Sequence, residues 1–562
     1  VLCEEPRPAY NRVMLTQYFQ DLDGDKHDQM KLSYWSEAQL KEAQVELVYG
    51  RAVEIDRAAK EVVYKLNGTA TSARLSYDFL VLATGSYCFV PPTPGMTIPA
   101  KKNPEWPDDP ASRPEGVFVY RTIEDLEMLI AAAGKGAKSA AVIGGGLLGL
   151  EAAKAVYDLK LESHVLEMAP YLMPTQLNEA AGSCLTKKIE ALDIKVHAGV
   201  KINEVLLEGE RAVGLKVVEK GAAEATDLKV DLIVVSCGVR PRDELAKACA
   251  LEMGSRGGVK VDSGLQTSDP AIFAIGEVAS IGGNFCYGLW APGVEQADTL
   301  VKNLVDGAKR VEYFKSDLST KLKLMGVDVA SFGRDESFWF KRQFDGKDLS
   351  VRSLESFNEL DGSYRKLCFS ADGTQLIGGL LVGDAKDYSK LLQLCKKDDL
   401  GGKTAESLAF GKPAPGEAAG AAADGGDGTG LADDDIVCSC LNVSKADVKK
   451  AIVEKDAVTI PLLKKCTKAG TGCGGCCTPV GEVPRVLAAT LKAMGKTLAT
   501  GICPHFAFSR RELFDIIKVK KIQSFPEALE TLGKGEGCEL CKPIIASILA
   551  GLWNDHVLKE GR

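Results

Sequence analysis

Seven cysteines and one histidine near the C-terminal end carry the sharpest chemical signal in the chain. Cys438 and Cys440 are followed, after 32 residues, by Cys473 and Cys476, a C-x-C-x32-C-x2-C pattern. At an offset of 65 residues, Cys503 and His505 are followed, again after 32, by Cys538 and Cys541. The flanks repeat at the same offset: Ser444, Asp447, Val448 and Ile452 fall on Ser509, Glu512, Leu513 and Ile517, while Gly470 and Gly472 fall on Gly535 and Gly537. Two copies of a small metal-binding unit are expected, one with four thiolates and one with an imidazole in place of the second. Four soft ligands in glycine-bearing turns suit either zinc or an iron–sulfur cluster. In the second copy a cluster of mixed ligation and a zinc-bearing or metal-free packing unit both fit. Histidine is an accepted iron–sulfur ligand, and His505, between Pro504 and Phe506, also reads as an ordinary packed imidazole.

The chain that must position these units has 562 residues, enough for three or more domains. Apolar content of 45% and charged content of 26% are those of a soluble globular protein, and a net charge of -8 argues against nucleic acid as a partner. No apolar run approaches the roughly 18 residues of a membrane span, so no membrane partner is expected. Most cysteines outside the two units are scattered, often in apolar surroundings such as Val235-Ser236-Cys237. That usage fits a reducing compartment, the cytoplasm or an organelle, better than a disulfide framework. Between Gly411 and Asp435 the composition shifts to Ala, Gly, Pro and Asp, which cannot bury apolar surface and reads as a flexible linker. Such a tether would let a cysteine unit swing towards and away from a redox centre in the larger body.

That body holds a dinucleotide signal in full context. The run Ser139-Ala140-Ala141-Val142-Ile143 reads as a buried strand, Gly144 to Gly149 matches G-x-G-x-x-G, a helix follows, and a second strand ends in Val165-Leu166-Glu167. Gly144 makes the turn, Gly146 lets the backbone approach a pyrophosphate, and Gly149 permits close helix packing at an N-terminus that favours anions. Glu167 would accept from the ribose hydroxyls. Met168, Ala169 and Pro170 supply no base for a 2′-phosphate, so NADH is favoured over NADPH.

Two further segments, Tyr77 to Ser86 (with Ala83-Thr84-Gly85) and Thr267 to Glu277, resemble the A-T-G and T-x-x-x-x-[IV]-[FY]-A-x-G-[DE] segments of two-dinucleotide-domain flavoprotein reductases. The resemblance implies that Gly276 and Glu277 meet the FAD ribityl chain, although Glu277 stands where Asp is commoner. That family also has an earlier G-x-G-x-x-G for the FAD pyrophosphate, and here the chain opens at Val1-Leu2-Cys3-Glu4-Glu5, at the expected end of the second strand. The expectation is an N-terminally truncated sequence, since Glu4 to Arg12 retains the next FAD-contacting segment. No C-x4-C or C-x2-C pair lies between Val1 and Leu300, so electrons are expected to leave the flavin for the tethered thiolate unit rather than for a disulfide.

The first cysteine unit, with Ala469-Gly470-Thr471-Gly472-Cys473-Gly474-Gly475-Cys476, resembles the bacterioferritin-associated-ferredoxin (BFD) type of [2Fe-2S] domain. Cys477 forms a C-x3-C with Cys473, as in half of a sirohaem/[4Fe-4S] site, but no C-x5-C partner exists and that reading is rejected. Together with Glu4 to Tyr10, Tyr120 to Leu126, Gly238 to Arg242 and Lys321 to Val329, these motifs resemble the large subunit of assimilatory NAD(P)H-dependent nitrite reductase over essentially the whole chain. The resemblance implies an α/β two-dinucleotide-domain flavoprotein reductase with an interface domain and two small helical BFD-like domains. It also implies FAD at Glu5, Arg7, Thr84, Gly85, Gly276 and Glu277, and [2Fe-2S] on Cys438, Cys440, Cys473 and Cys476. Sirohaem and [4Fe-4S] would belong to a C-terminal half beyond Arg562 or to a partner module. Electrons would go to that sirohaem module or to another acceptor, and a homodimer is possible. The expected boundaries are FAD domain 1–117 and 246–315, NAD domain 118–245, interface domain 316–405, linker 406–435, and BFD-like units 436–490 and 500–557. A stand-alone electron-transfer subunit of nitrate assimilation and a ferredoxin- or rubredoxin-type reductase are the alternatives. An iron–sulfur store fits the cysteine units but not Gly144 to Glu167.

Overall fold

The computed structural model describes residues 1–19, 33–69, 71–102, 108–305, 310–334, 351–411, 435–438, 443–471, 475–477, 481–495, 510–538 and 541–553, with single residues at 429, 431, 433, 503, 505, 506 and 508. The chain divides into two compact units, Val1–Ala421 with Ser439–Leu441 and Ala422–Cys438 with Asn442–Arg562.

In the first unit the strand Ser139–Ile143 lies in a five-stranded sheet ordered Lys195–Ala198, Glu162–Glu167, Ser139–Ile143, Leu232–Val235, Val117–Val119. Every pairing in it is parallel. Side chains alternate along a strand, so Ala140, Val142, Val165, Leu232 and Val234 enter one core while Ala141, Ile143, Leu166, Ile233 and Val235 enter another. Both faces are therefore covered, which is why these strands read as unbroken apolar runs. The helix Leu147–Asp158 follows the first strand directly and buries Leu150, Ala152, Ala153 and Val156 in the first of these cores.

The remaining nucleotide-fold elements are short. Leu80–Leu82 pairs parallel with Ile272–Ala274, and Ser86–Cys88 pairs antiparallel with Val239–Pro241, so segments far apart in sequence meet at Thr84-Gly85 and Gly276-Glu277. Leu2–Cys3 pairs parallel with Val48–Asp56, which brings the residues after it to the same region through Glu4 and Arg242. A five-stranded antiparallel sheet then runs Thr320–Leu324, Val327–Gly333, Leu376–Gly383, Ser363–Ser370, Val351–Asn358.

The ends of the expected linker differ from the sequence reading. Residues 406–410 belong to the helix Ala405–Phe410, which is capped by Thr404, closed by Gly411 at φ 69°, and buries Leu408 and Ala409 in the core under the antiparallel sheet. At the other end Thr429 is 3% exposed, Lys445 Nζ donates to Thr429 Oγ1 (3.0 Å) and the Leu431 carbonyl (2.6 Å), and the Lys445 N–H donates to the Asp435 carbonyl. Small polar residues conceal this anchoring, because the apolar surface they cover is the stem of a lysine.

In the second unit the 65-residue offset is preserved in three dimensions. Helix Lys445–Lys455 maps onto Arg510–Lys520 and Ile460–Thr467 onto Phe525–Leu532, residue for residue. The connections agree as well: Asp456 (φ 48°) matches Lys521 (φ 56°), the caps Thr459 and Ser524 each accept from the third residue on, and Gly470 (φ 74°) matches Gly535 (φ 73°). The copies diverge after the last cysteine pair. A 3-10 turn Gly475–Cys477 and a helix Glu482–Ala493 close the first, whereas the final helix of the second starts at Cys541 itself, as Cys541–Leu552.

Candidate functional site

The glycine turn is shaped by what surrounds each glycine. Gly144 has φ 110°, and a Cβ there would stand 2.3 Å from the Ser236 carbonyl oxygen; a Cβ on Gly149 would stand 1.7 Å from the Gly144 oxygen. Gly146 is different: a Cβ there meets nothing within 4 Å, and as N-cap of the helix Leu147–Asp158 it offers no side-chain acceptor. The free N–H groups of that helix end thus face an open cradle, which fits an anionic pyrophosphate. Glu167 closes the far side, its Oε2 accepting from Gly145 N–H and its Oε1 from Ala169 N–H, both at 2.7 Å. Each oxygen keeps a further lone pair for a ribose hydroxyl. Met168 beside it is 79% exposed. The structure therefore brings Gly144, Gly146, Gly149 and Glu167 together.

A second cradle forms where Gly85 (φ 71°) and Gly276 (φ 76°) meet. Ser86 Oγ donates to Glu277 Oε2 at 2.8 Å, Arg121 pairs with the same carboxylate and donates to Ser86 Oγ, and Thr84 Oγ1 donates to the Arg242 carbonyl at 2.7 Å. Buried Gln296 accepts from Gly276 N–H at 2.7 Å, fixing that turn against the helix Trp290–Val305. Glu5 joins through Arg12, which is ion-paired to Glu5 and donates to the Arg121 carbonyl at 2.9 Å. Tyr10 also donates to Glu5. Arg7 pairs with Glu124 on the segment that follows Arg121 and keeps Nε and Nη1 buried without a partner among the described residues. Those orphan donors fit an anionic group such as a flavin nucleotide. Spacing could not disclose Arg12, Arg121 and Arg242 as the links in this network, since Arg121 and Glu277 are 156 residues apart.

In the second unit, Cys438 is buried and accepts from Gly470 N–H at 3.5 Å. The neighbouring Cys438 thiol and burial push the Cys476 thiol well above its ordinary value, so the two thiols crowd each other. Neighbouring thiolates repel, and a cationic iron core would relieve them. Gly470 is required where it stands, because a Cβ would lie 2.3 Å from Cys477 Sγ. Cys440 and Cys473 lie outside the described residues. In the repeat, Cys503, His505, Cys538 and Cys541 are all brought together, their ligand atoms within 4.8 Å of one another. Among the described residues no helix is long and apolar enough to cross a membrane.

Comparison with known proteins agrees with this geometry. Residues 1–302 match the family model of pyridine nucleotide-disulphide oxidoreductases, and residues 436–483 match that of BFD-like [2Fe-2S] binding domains. The chain is 40% identical, over all of its length, to 60% of the nitrite reductase (NADH) large subunit of Escherichia coli K12. It is 29% identical, over 99% of its length, to 65% of an assimilatory nitrate reductase electron transfer subunit of Bacillus subtilis 168. It thus spans less than two thirds of the length of either relative. Among solved structures, the ferredoxin reductase for the CYP199A2 system of Rhodopseudomonas palustris superposes with a TM-score of 0.55 at 25% identity, over 69% of this chain and 85% of that one. The parallel sheet, the glycine turn and the match across more than half the sequence establish that this chain belongs to the pyridine nucleotide-disulphide oxidoreductase family and carries a BFD-like [2Fe-2S] domain behind the reductase body.

Proposed function

We propose that the chain is the NADH-oxidising, electron-delivering part of an assimilatory nitrite reductase. One observation carries the reading: a single chain joins an open dinucleotide cradle at Gly146 to a BFD-like thiolate unit, with no C-x2-C or C-x4-C pair before Leu300 to take the electrons instead. The similarity to nitrite reductase large subunits supplies the terminal substrate class.

Gly144, Gly146 and Gly149 with Glu167 would hold NADH, while Glu5, Arg7, Thr84, Gly85, Gly276 and Glu277 would hold FAD, and Cys438, Cys440, Cys473 and Cys476 a [2Fe-2S] cluster. When bound, these groups supply hydride acceptance at the flavin and one-electron carriage at the cluster. The chain's own side chains do no acid–base work in such a transfer; they fix geometry and charge. Glu167 presents a carboxylate already oriented by two backbone N–H groups, which favours a ribose diol and repels a 2′-phosphate. Arg121 pairs with the half-buried Glu277 and balances its charge at the flavin cradle. Gly470 N–H donates to Cys438 sulfur and favours its thiolate form.

The test is turnover by the chain supplied with FAD and anaerobically loaded with iron and sulfide. NADH should reduce ferricyanide and cytochrome c. Ammonium should form from NADH and nitrite only when a sirohaem module is joined to it, because six-electron reduction needs a metal centre that holds the nitrogen throughout. Failure of NADH to reduce either acceptor would remove the reductase assignment. Full NADH-to-acceptor turnover with no electron delivery to a sirohaem module would favour the nitrate-reductase electron-transfer role of the Bacillus subtilis relative instead.

A further inference from the structure

The family match to the [2Fe-2S] domain ends at residue 483, yet the repeat beyond it has the same helices and a complete, compact ligand set. We infer that Cys503, His505, Cys538 and Cys541 form a mononuclear zinc site, redox-inert, that holds the second BFD-like unit together and stands outside the electron path.

The distances select the nuclearity. On one tetrahedral zinc ion, bonds of about 2.3 Å to sulfur put any two ligand atoms about 3.8 Å apart. A two-iron cluster divides its ligands between two bridged metals, so ligand atoms on opposite irons stand roughly 5.5 Å apart or more. Here all four ligand atoms lie within 4.8 Å of one another. Cys503 Sγ and His505 Nδ1 are 3.7 Å apart and Cys538 Sγ and Cys541 Sγ are 3.8 Å apart. The two pairs match the one-ion spacing, and the whole set is tighter than a two-iron core requires.

The surroundings agree. The two units also differ between their last two ligands, Gly474-Gly475 in the first and Glu539-Leu540 in the second. Cys541 opens the helix Cys541–Leu552, and Cys538 N–H donates to its sulfur at 3.0 Å, so the backbone holds that sulfur toward the other three ligands. Gly535 and Gly537, at φ 73° and 79°, fold the chain over the site, with a Cβ on the first meeting His505 Cδ2 at 3.2 Å and on the second Cys541 Sγ at 3.4 Å. Underneath, Phe506, Leu513, Ile517, Ala528, Ile545 and Ile548 make a core of a size that profits from a metal staple. Three thiolates and a neutral imidazole leave zinc a net single negative charge, and zinc neither gains nor loses electrons.

The decisive measurement is metal content of the full chain, purified anaerobically without chelator. The expectation is about one zinc beside about two iron and two sulfide per chain. Cys541→Ser should lose the zinc while keeping iron, sulfide and the reduced-cluster EPR signal, and His505→Cys should keep it. Chain produced with cobalt should show the ligand-field absorption of a tetrahedral thiolate site, absent in Cys541→Ser. Should Cys541→Ser fail to fold, the wild-type stoichiometry, the cobalt spectrum and His505→Cys decide the matter. About four iron per chain with no zinc, loss of iron in Cys541→Ser, or no metal beyond the first unit's iron would each overturn the inference. Two zinc and no iron would support it while removing the cluster from the first unit.

Discussion

Two carboxylates near the glycine turn, one on the helix Leu147–Asp158 and one at the end of the next strand, are set by their surroundings. Glu167 is pinned by the N–H groups of Gly145 and Ala169 and faces the cradle. NADH should therefore be used with a kcat/KM on the order of tenfold or more above that of NADPH. Glu167→Ala combined with Met168→Arg should narrow or invert that ratio in steady-state assays. The stem of Lys220 lies beside Gly199, whose N–H bonds the Ala169 carbonyl, a base near the turn that no local spacing announces. If NADPH proves the better donor to the unaltered chain, Lys220 rather than Glu167 governs the choice. Glu151, in the first turns of the helix Leu147–Asp158, is held protonated by burial up to about 7. A carboxyl raised on folding takes up a proton as the chain folds, so its contribution is fully present below 4.5, its ordinary value, and is lost as pH rises through about 7. Thermal unfolding of the reductase body should shift downward between those limits, and Glu151→Gln should flatten that shift; an unchanged slope in the variant would exclude this group as its source.

The elements add a sharper distinction among glycines of one motif. Gly149 is needed for packing, since its Cβ would overlap the Gly144 carbonyl, while Gly146 is needed for what it leaves empty. Gly149→Ala should destabilise the body by about 2 kcal/mol or more, read as a lower denaturation midpoint. Gly146→Ala should leave that midpoint in place and raise the KM for NADH, because the added methyl fills only the cradle. Equal stability losses in both variants would mean that Gly146 is a packing residue too. In the second unit the matched helices show why the repeat survives despite changed ligands: the caps Thr459 and Ser524, the prolines after them and the left-handed Asp456 and Lys521 set each helical hairpin before any metal binds.

For the whole molecule, division into two compact units predicts that the two redox steps can be separated. Cys438→Ser should leave rapid bleaching of the flavin by NADH in stopped-flow measurements intact, since the nucleotide and flavin cradles lie wholly in the first unit. It should reduce steady-state electron delivery to a sirohaem module by at least about tenfold, because it removes a buried thiol proposed to hold the cluster. Slowed flavin bleaching in that variant would contradict the separation.

Much of this protein was legible in its residues. Gly144 to Gly149 with a strand before and a helix after, the Thr84-Gly85 and Gly276-Glu277 turns, and the 65-residue repeat each depend on local spacing, and local spacing is what backbone conformation and ligand reach impose directly. The helical extent of residues 405–410 and the anchoring of Thr429, Leu431 and Asp435 were not legible, because their partners lie outside the segment that carries them. Nor were the salt links among Glu5, Arg12, Arg121 and Glu277, which exist only once strands distant in sequence pair. The sequence by itself determined which ligands the second cysteine unit offers. Only the tertiary structure decided how closely they gather, since nuclearity depends on distances across a loop of 32 residues that no spacing rule fixes.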